Sequence, residues 1–284
     1  MQDFKDKVAV ITGAASGLGL AMAHRFAAEG MKLVLADVEE DALRKVETEF
    51  RKSGVPVLGI KTDVSRGHDI ERLAEKTLAT FGAVHLLCNN AGVAPGGVVW
   101  ESTQADWEWV LGVNVWGVIH GVRTFLPIML RQDTECHVVN TASVAGMLSV
   151  PGMGIYCVSK HAVVTLTECM YHDLQQRSAK VGVSVLCPAF VPTGIVDSER
   201  NRPAALRNAP RPKTPEEIER DELTRHAVQS GRITPEQVAE MVLDAVKTNR
   251  FYILTHPKIK RAIEARMDDI LQERQPTDMS KPGR

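Results

Sequence analysis

The chain is short of cysteine and of net charge, and each shortage excludes a class of protein. Its 284 residues include five cysteines, an odd number with no pair at the short spacing of a zinc site. The sequence therefore predicts neither a disulfide framework nor a metal site, and it favours a reducing, cytoplasmic setting. The 34 basic and 35 acidic residues nearly cancel, so the basic surface expected of a nucleic-acid-binding protein is missing.

A signal peptide and a membrane-spanning segment are also missing from the pattern. Residues 1–7 carry charges where a signal peptide needs an apolar core. The uncharged stretch 138–159 is long enough to cross a bilayer, but it contains Asn140, Pro151 and three glycines, which are unfavourable in a membrane helix. With 44% hydrophobic residues, the sequence predicts a soluble globular protein with no membrane partner.

Short apolar runs alternate with longer helical patterns along the chain. Because parallel strands need a crossover connection, usually a helix, this alternation predicts an α/β fold with helices on both faces of a parallel sheet. No linker divides the chain, so we expect a single domain over residues 1–284 with about seven strands. The predicted strands are 7–12, 32–36, 57–61, 84–89, 137–140, 183–187 and 251–254.

The segment 190–230 has a different composition. Between residues 197 and 229 five basic residues precede an acidic cluster, and four prolines interrupt the sequence. One interpretation is a solvated excursion with a short helix that starts at Thr214-Pro215. The other is a substrate-side loop or lid over a site. Thr234-Pro235 is expected to start another helix, and residues 275–284 are expected to form a flexible tail.

A glycine-rich turn joins the first predicted strand to the first helix. Thr12-Gly-Ala-Ala-Ser-Gly-Leu-Gly19 supplies glycines that let the backbone turn sharply and approach a pyrophosphate. The helix that follows offers unpaired N–H groups and a positive dipole end to phosphates. A tight turn without a ligand is the alternative, and the spacing departs from the usual G-x-G-x-x-G pattern. The candidate phosphate-binding residues are Gly13, Ser16, Gly17, Leu18 and Gly19.

Asp37 follows the second predicted strand, 18 residues after Gly19. An acidic side chain at this place can bind the hydroxyls of an adenosine ribose and repel a 2′-phosphate. No basic residue stands in the glycine turn or directly after Asp37, so the sequence favours NAD over NADP as the cofactor. The alternative is that Asp37 only caps the next helix.

Several motifs occur together in one order: Thr12-Gly-x-x-x-Gly-x-Gly19, Asp63-Val64, Asn89-Asn-Ala-Gly92, Asn114, Ser143 and Tyr156-x-x-x-Lys160. In this combination the sequence resembles the short-chain dehydrogenase/reductase family over about residues 5–195. The resemblance implies a Rossmann-like, doubly wound parallel sheet, nicotinamide chemistry and a catalytic set of Asn114, Ser143, Tyr156 and Lys160. It also implies cofactor contacts at Asp63, Val64, Asn90, Ala91, Gly92, Val191 and Thr193, besides Tyr156 and Lys160. Pro188-Ala189 departs from the Pro-Gly of many relatives, but keeps a small residue.

The spacing of Tyr156 and Lys160 can be interpreted without the family. Four residues apart on a predicted helix, they lie on one face. A free phenol has a pKa of about 10, too high for a base at neutral pH. We expect the nearby ammonium, with the positive charge of an oxidised nicotinamide, to lower that pKa so that Tyr156 can exchange a proton with an alcohol. Ser143 would hold the substrate oxygen. Taken alone, the same pair is commonly a surface contact, and Ser143 a strand-end cap.

Residues expected to face the substrate are apolar and include no arginine or lysine. Such a pocket suits an aliphatic, aromatic or polycyclic secondary alcohol better than a sugar phosphate. Some of these side chains could instead pack inward. The candidates are Val93, Ala94, Ala145, Met147, Met153, Phe190 and Ile195.

The sequence thus predicts an oxidoreductase that transfers a hydride between NAD(H) and a small secondary alcohol or ketone. A nucleotide-sugar epimerase or dehydratase is a second hypothesis, although the segment after residue 195 leaves little room for a larger substrate domain. A non-catalytic NAD-binding scaffold is a third, but such a protein would not need Tyr156 beside Lys160. The resemblance also implies a homodimer or homotetramer. Four tryptophans between residues 100 and 116 would suit a core or a subunit contact.

Overall fold

The computed structural model of the protein describes residues 1–278, in which strands and helices alternate. The predicted tail 275–284 falls outside the described residues from position 279 onward. The strands are β1 (Val8–Thr12), β2 (Lys32–Asp37), β3 (Val57–Lys61), β4 (Leu86–Asn89), β5 (Cys136–Thr141), β6 (Val181–Cys187) and β7 (Tyr252–Leu254). The helices are α1 (Gly17–Ala28), α2 (Glu40–Lys52), α3 (Gly67–Phe81), α4 (Gln104–Leu111), α5 (Gly117–Gln132), α6 (Gly154–Gln176), α7 (Pro215–Gln229), α8 (Pro235–Thr248) and α9 (Ile259–Leu271).

All seven strands of the described chain join one parallel sheet in the order β3-β2-β1-β4-β5-β6-β7. The chain moves outward from β1 to β3, returns to the other side of β1 with β4, and then continues outward to β7. This arrangement is the doubly wound Rossmann-like sheet that the sequence predicted, and the prediction of about seven strands is confirmed. The reversal between β1 and β4 opens a crevice at the carboxyl ends of the strands.

Each face of the sheet carries its own apolar core, because successive strand residues point to opposite faces. Ala9, Ile11 and Leu33 pack with α1 and α8 on one face. Val8, Val10 and Val34 pack with α3 and α5 on the other. All five residues of β1 are buried, which explains why its sequence is continuously apolar rather than alternating.

The segment after β6 forms short helices rather than one open loop. Residues Gly194–Asn201 and Ala204–Leu206 make 3₁₀ turns before α7 begins. Thr214 caps α7 and Thr234 caps α8, each in a reciprocal capping box with proline in the first turn. The two predicted helix starts are confirmed, while the role of 190–230 as a lid stays a prediction.

Within residues 1–278, the helical stretch Gln104–Gln132 is long and apolar enough to cross a membrane, judged by length and composition alone. Of its most apolar 18 residues, 39% are buried. Core helices of soluble proteins meet the same criterion. In this stretch Phe125 and Met129 are fully buried against the sheet, as expected of a helix that covers a core. The predicted lack of a membrane partner stays a prediction.

Candidate active site

A cleft lies over the carboxyl ends of the central strands, and most predicted cofactor residues line it. It is bounded by the glycine turn after β1, the ends of β2 to β6, and the segment 188–206. The predicted residues that line it are Gly13, Ser16, Gly17, Leu18, Asp37, Asp63, Val64, Asn90, Ala91, Gly92, Val93, Ser143, Tyr156, Lys160, Val191, Thr193 and Ile195.

The glycine turn has little room for side chains. Gly13 has a φ of +64°, and a Cβ there would lie 2.9 Å from the Cα of Ala91. A Cβ at Gly19 would lie 2.0 Å from the carbonyl oxygen of Gly13, so Gly19 packs behind the turn instead of lining the cleft. The side chain of Ser16 makes no cap hydrogen bond to α1, which leaves the first N–H groups of the helix without a side-chain cap. This arrangement fits the phosphates of a dinucleotide.

Asp37 points into the same cleft and does not cap α2. Its Oδ2 accepts a hydrogen bond from the Ala15 N–H at 2.9 Å, and its Oδ1 accepts one from the Glu39 N–H at 3.0 Å. The N-cap residue of α2 is Glu39. Burial raises the pKa of Asp37, and these backbone hydrogen bonds oppose that shift. The carboxylate therefore fits a ribose contact better than the cap-only alternative.

Hydrogen bonds of Thr12 hold the ends of β1 and β4 together below the cleft. The Thr12 hydroxyl accepts from the N–H groups of Asn90 and Ala91 at 2.9 and 3.1 Å. The Asn90 amide donates to the Thr12 carbonyl at 3.0 Å. After β3, Asp63 accepts both the N–H and the hydroxyl of Ser65, at 3.0 and 2.6 Å. Asn90 and Asp63 both line the cleft, and their contacts with a cofactor stay a prediction.

Ser143, in the turn after β5, comes together with Tyr156 and Lys160, which lie on α6. The Ser143 hydroxyl donates to the Pro188 carbonyl at 3.3 Å and accepts the Ala145 N–H at 3.1 Å. Ser143 thus also caps the short 3₁₀ turn Val144–Gly146. The Lys160 Nζ donates to the Thr141 carbonyl at 3.0 Å and lies 5.6 Å from the centroid of the Tyr156 ring.

The protein groups alone do not make Tyr156 acidic. Burial raises the pKa of Tyr156 to about 12, and a hydrogen bond with Ser143 opposes that shift. Burial also lowers the pKa of Lys160 to about 8. Desolvation is the largest cause of both shifts, and in each case it disfavours the charged form. The expected acidification would need the further positive charge of an oxidised nicotinamide.

Asn114 lies behind the cleft in a π-helical turn, Gly112–Trp116, that joins α4 to α5. Its Oδ1 accepts the Val93 N–H at 2.9 Å, and its Nδ2 donates to the Val93 carbonyl and the Ser159 hydroxyl. A Cβ at Gly92 would lie 3.3 Å from the Asn114 Oδ1 and 3.4 Å from the Lys160 Nζ. Such π-turns are frequent at functional sites. The structure thus brings Asn114 near Lys160, while the proton path implied by the resemblance stays a prediction.

The reaction end of the cleft contains residues that the sequence analysis missed. Ile195 and Val93 line the cleft. The other predicted substrate residues do not line it, and their contact with a substrate stays a prediction: Ala94, Ala145, Met147, Met153 and Phe190. The missed lining residues of this region are Glu108, Trp109, Ser198, Pro203, Leu206 and Val228. Four of these belong to the segment 190–230, whose unusual composition was the available signal, although no motif singled them out.

A cation that the sequence analysis missed lies near Asp37. Arg200 lines the cleft and donates to the Glu39 carboxylate. Arg200 is 161 residues from Glu39 along the chain, so the sequence around Asp37 does not reveal this cation. No group of three or more histidine, cysteine, aspartate or glutamate residues in the described part of the chain could hold a metal ion.

A family model described as short chain dehydrogenase matches residues 7–204 of the chain. Among curated proteins, the chain is 36% identical to a CLA biosynthesis dehydrogenase/reductase of Lactiplantibacillus plantarum, with 97% of each chain covered. It is 33% identical to a C alpha-dehydrogenase of a Sphingobium strain, over 100% of this chain and 91% of that protein.

Among solved structures, one short-chain dehydrogenase/reductase from Burkholderia phymatum, crystallised in complex with NAD, is 55% identical to this chain. The TM-score is 0.96, and the match covers 98% of this chain and 99% of the other. The match to this structure extends past residue 204 and includes most of the segment 190–230, which forms the roof of the cleft.

Proposed function

The chain belongs to the short-chain dehydrogenase family of oxidoreductases, and on this premise we propose that it transfers a hydride between NAD(H) and a secondary alcohol or ketone. The observation that carries the proposal is the convergence of Ser143, Tyr156 and Lys160 on the cleft that also contains the glycine turn and Asp37. A protein that only bound a dinucleotide would not need the first three side chains.

The proposed cofactor is NAD rather than NADP. The Asp37 carboxylate lies where it can accept the hydroxyls of an adenosine ribose and would repel a 2′-phosphate. The turn at Gly13 and the start of α1 supply the backbone groups for the pyrophosphate. The NAD complex of the Burkholderia relative supports this choice.

Each polar side chain at the reaction end has a proposed role. A bound nicotinamide would supply the acceptor or donor of the hydride. Ser143 holds the substrate oxygen by a hydrogen bond, and Tyr156 takes the hydroxyl proton or gives it back. Lys160 stabilises the phenolate form of Tyr156 and would help to hold the nicotinamide ribose. Asn114 supports a proton path that ends at Lys160.

The proposed substrate is an apolar secondary alcohol. The cleft is lined by the apolar side chains of Val93, Trp109, Ile195, Leu206 and Val228. Among the described lining residues the cations are Lys160 and Arg200, and both donate to protein oxygens. A pocket of this kind favours an aliphatic, aromatic or polycyclic substrate over a phosphorylated one.

We also propose a homodimer or homotetramer. Trp109 is buried in the core, but Trp100 is 85% exposed and Trp116 49% exposed. Exposed tryptophans near a partly buried apolar helix suit a contact between subunits. We further propose that the protein is located in the cytoplasm and that residues 190–230 act as a lid over the site.

The experiment is a screen of secondary alcohols for NADH formation with the wild-type protein and two variants. Tyr156→Phe should lower kcat by at least about a thousandfold, because the acid/base group is lost, while the Kd for NAD measured by calorimetry changes by less than about threefold. Tyr171→Phe is the matched control, since Tyr171 lies on the same helix with its ring against Phe251. Near-wild-type turnover by Tyr156→Phe would remove the proposed role of the phenol.

A further inference from the structure

The adenosine end of the cleft contains an ion pair that the catalytic proposal does not use. The Arg200 Nε and Nη2 donate to the same oxygen of Glu39, at 3.1 and 2.7 Å. The Asn201 amide donates to that oxygen as well, at 2.8 Å. All three side chains line the cleft together with Asp37. Glu39 thus connects the end of β2 to the turn Gly194–Asn201 above it.

The orientation of Arg200 is set by its own segment. Its Nη1 donates to the carbonyls of Gly194 and Asp197, at 3.1 and 3.0 Å. The opposite edge of the guanidinium, Nε with Nη2, is the edge that binds Glu39. This edge is a fork that matches carboxylate and phosphate oxygens. Glu39 therefore occupies the part of Arg200 that a phosphate would use.

The charges near the ribose position depend on Glu39. Partial burial raises the pKa of Glu39, whereas the hydrogen bonds from Asn201 and Arg200 lower it. Together the lowering effects are larger, so the pKa of Glu39 lies below its ordinary value. Glu39 is therefore ionised at neutral pH. Asp37, Glu39 and Arg200 together carry one net negative charge. Without the Glu39 charge they would carry none, and the fork of Arg200 would be open to a phosphate of about −1.5 to −2 charge.

We propose that Glu39, by binding Arg200, is a second determinant of the preference for NAD over NADP, in addition to Asp37. The inference rests on the proposed function, since it concerns the cofactor of the same site. Glu39 acts in two ways: it adds a negative charge that repels a 2′-phosphate, and it occupies the cation that could receive one. Removal of the Glu39 charge turns Arg200 into a phosphate receptor.

Calorimetry with two cofactor fragments tests this directly and requires no turnover. ADP-ribose and 2′-phospho-ADP-ribose are titrated into the wild-type protein, Glu39→Gln and the double variant Glu39→Gln/Arg200→Met, at one fixed salt concentration. In Glu39→Gln the preference for ADP-ribose should fall by about tenfold or more, because one repulsive charge is lost and the Arg200 fork becomes open to the 2′-phosphate. The Kd for ADP-ribose itself should change by less than about threefold. The double variant should return to the wild-type preference.

Glu40→Gln is the matched control. The Glu40 carboxylate is one residue away, pairs with Arg44 and Lys61 and does not line the cleft. Its neutralisation should leave the ratio of the two Kd values unchanged, which separates a local contact from a general effect of charge. Thermal melting of each variant checks that it is folded.

Two results would overturn the proposal: an unchanged ratio in Glu39→Gln, or a shifted ratio that persists when Arg200 is also replaced. Failure of the proposed function would look different: without a dinucleotide site the wild-type protein would bind neither fragment, and a non-catalytic NAD-binding protein would bind ADP-ribose but form no NADH in the alcohol screen. Wild-type binding of ADP-ribose with no response to Glu39→Gln rejects the second determinant and leaves the dehydrogenase proposal intact.

Discussion

Two buried cations have different kinds of partner. Lys160 lies in the floor of the cleft, which the strand ends and α6 form, and Arg202 lies in the roof segment 190–230. Lys160 is 3% exposed and Arg202 is 5% exposed. Arg202 forms ion pairs with Asp106 at 2.6 Å and Glu199 at 3.2 Å, and its guanidinium lies 5.0 Å from the Trp109 ring. Lys160 donates a hydrogen bond to the Thr141 carbonyl and, within residues 1–278, forms no ion pair with a carboxylate.

The difference indicates what each cation does. A buried charge without a counterion destabilises the fold and shifts its pKa toward the neutral form, as at Lys160. A buried charge with carboxylate partners joins the elements that supply them. Arg202 therefore attaches the roof segment to α4, which carries Asp106 and Trp109, whereas the burial of Lys160 costs stability, as the catalytic role proposed for it would require.

Replacing Lys160 should have the largest effect, because it should lower activity and raise stability. Lys160→Met keeps the side-chain length but removes the charge, so kcat should fall on the order of a thousandfold. Burial lowers the pKa of this lysine from 10.5 to about 8, and removing the penalty should stabilise the cofactor-free protein on the order of 1–3 kcal/mol at pH 7. Urea unfolding measures the free energy. A less stable Lys160→Met variant would contradict this account of Lys160.

The stability gain of the same variant should depend on pH in a defined direction. Between pH 8 and 10.5 the unfolded chain keeps the Lys160 proton that the folded wild-type protein loses, so wild-type stability rises with pH in this window. The difference between Lys160→Met and wild type should be largest below about pH 8 and shrink toward pH 10. A difference that is constant over this range would mean that Lys160 does not titrate as described.

Arg202→Met should lower the stability of the protein, in contrast to Lys160→Met. It leaves Asp106 without its buried partner, and breaking a buried pair costs about 3 kcal/mol or more. Arg44→Met is the control, because Arg44 forms an exposed pair with Glu40 and should cost less than about 1 kcal/mol. Both costs are read from urea unfolding. Equal losses in the two variants would show that Arg202 is not an anchor.

Asp37→Ala should have the smallest effect, about a tenfold reduction of the preference for NAD over NADP. The carboxylate that accepts the ribose hydroxyls is lost, and Glu39 still opposes a 2′-phosphate. The ratio of kcat/KM values with the two cofactors measures the change. A wild-type preference for NADP would contradict the assignment of Asp37.

The floor of the cleft could be predicted from the sequence because its residues follow short strands at recognisable intervals. Thr12, Asp37, Asn89 and Thr141 end strands whose apolar residues are buried in the sheet. Parallel strands bring such ends to one edge. Tyr156 and Lys160 were predictable as neighbours because they are one helical turn apart.

The roof could not be predicted in the same way. Arg200 reaches Glu39 across 161 residues, and Leu206 and Val228 reach the cleft from turns and a helix whose placement depends on tertiary contacts. The pKa shift of Tyr156 in the protein alone could not be predicted from the sequence either, because the spacing indicates that Lys160 is near but not how far the pair is desolvated. Burial is a property of the whole fold.

The most direct test of hydride transfer uses a secondary alcohol deuterated at its carbinol carbon. After turnover with unlabelled NAD, the account predicts that the deuterium is found on the nicotinamide ring of the NADH released, with the ketone as the other product, as measured by mass spectrometry. Deuterium that stays in the organic product or appears in water would contradict the account.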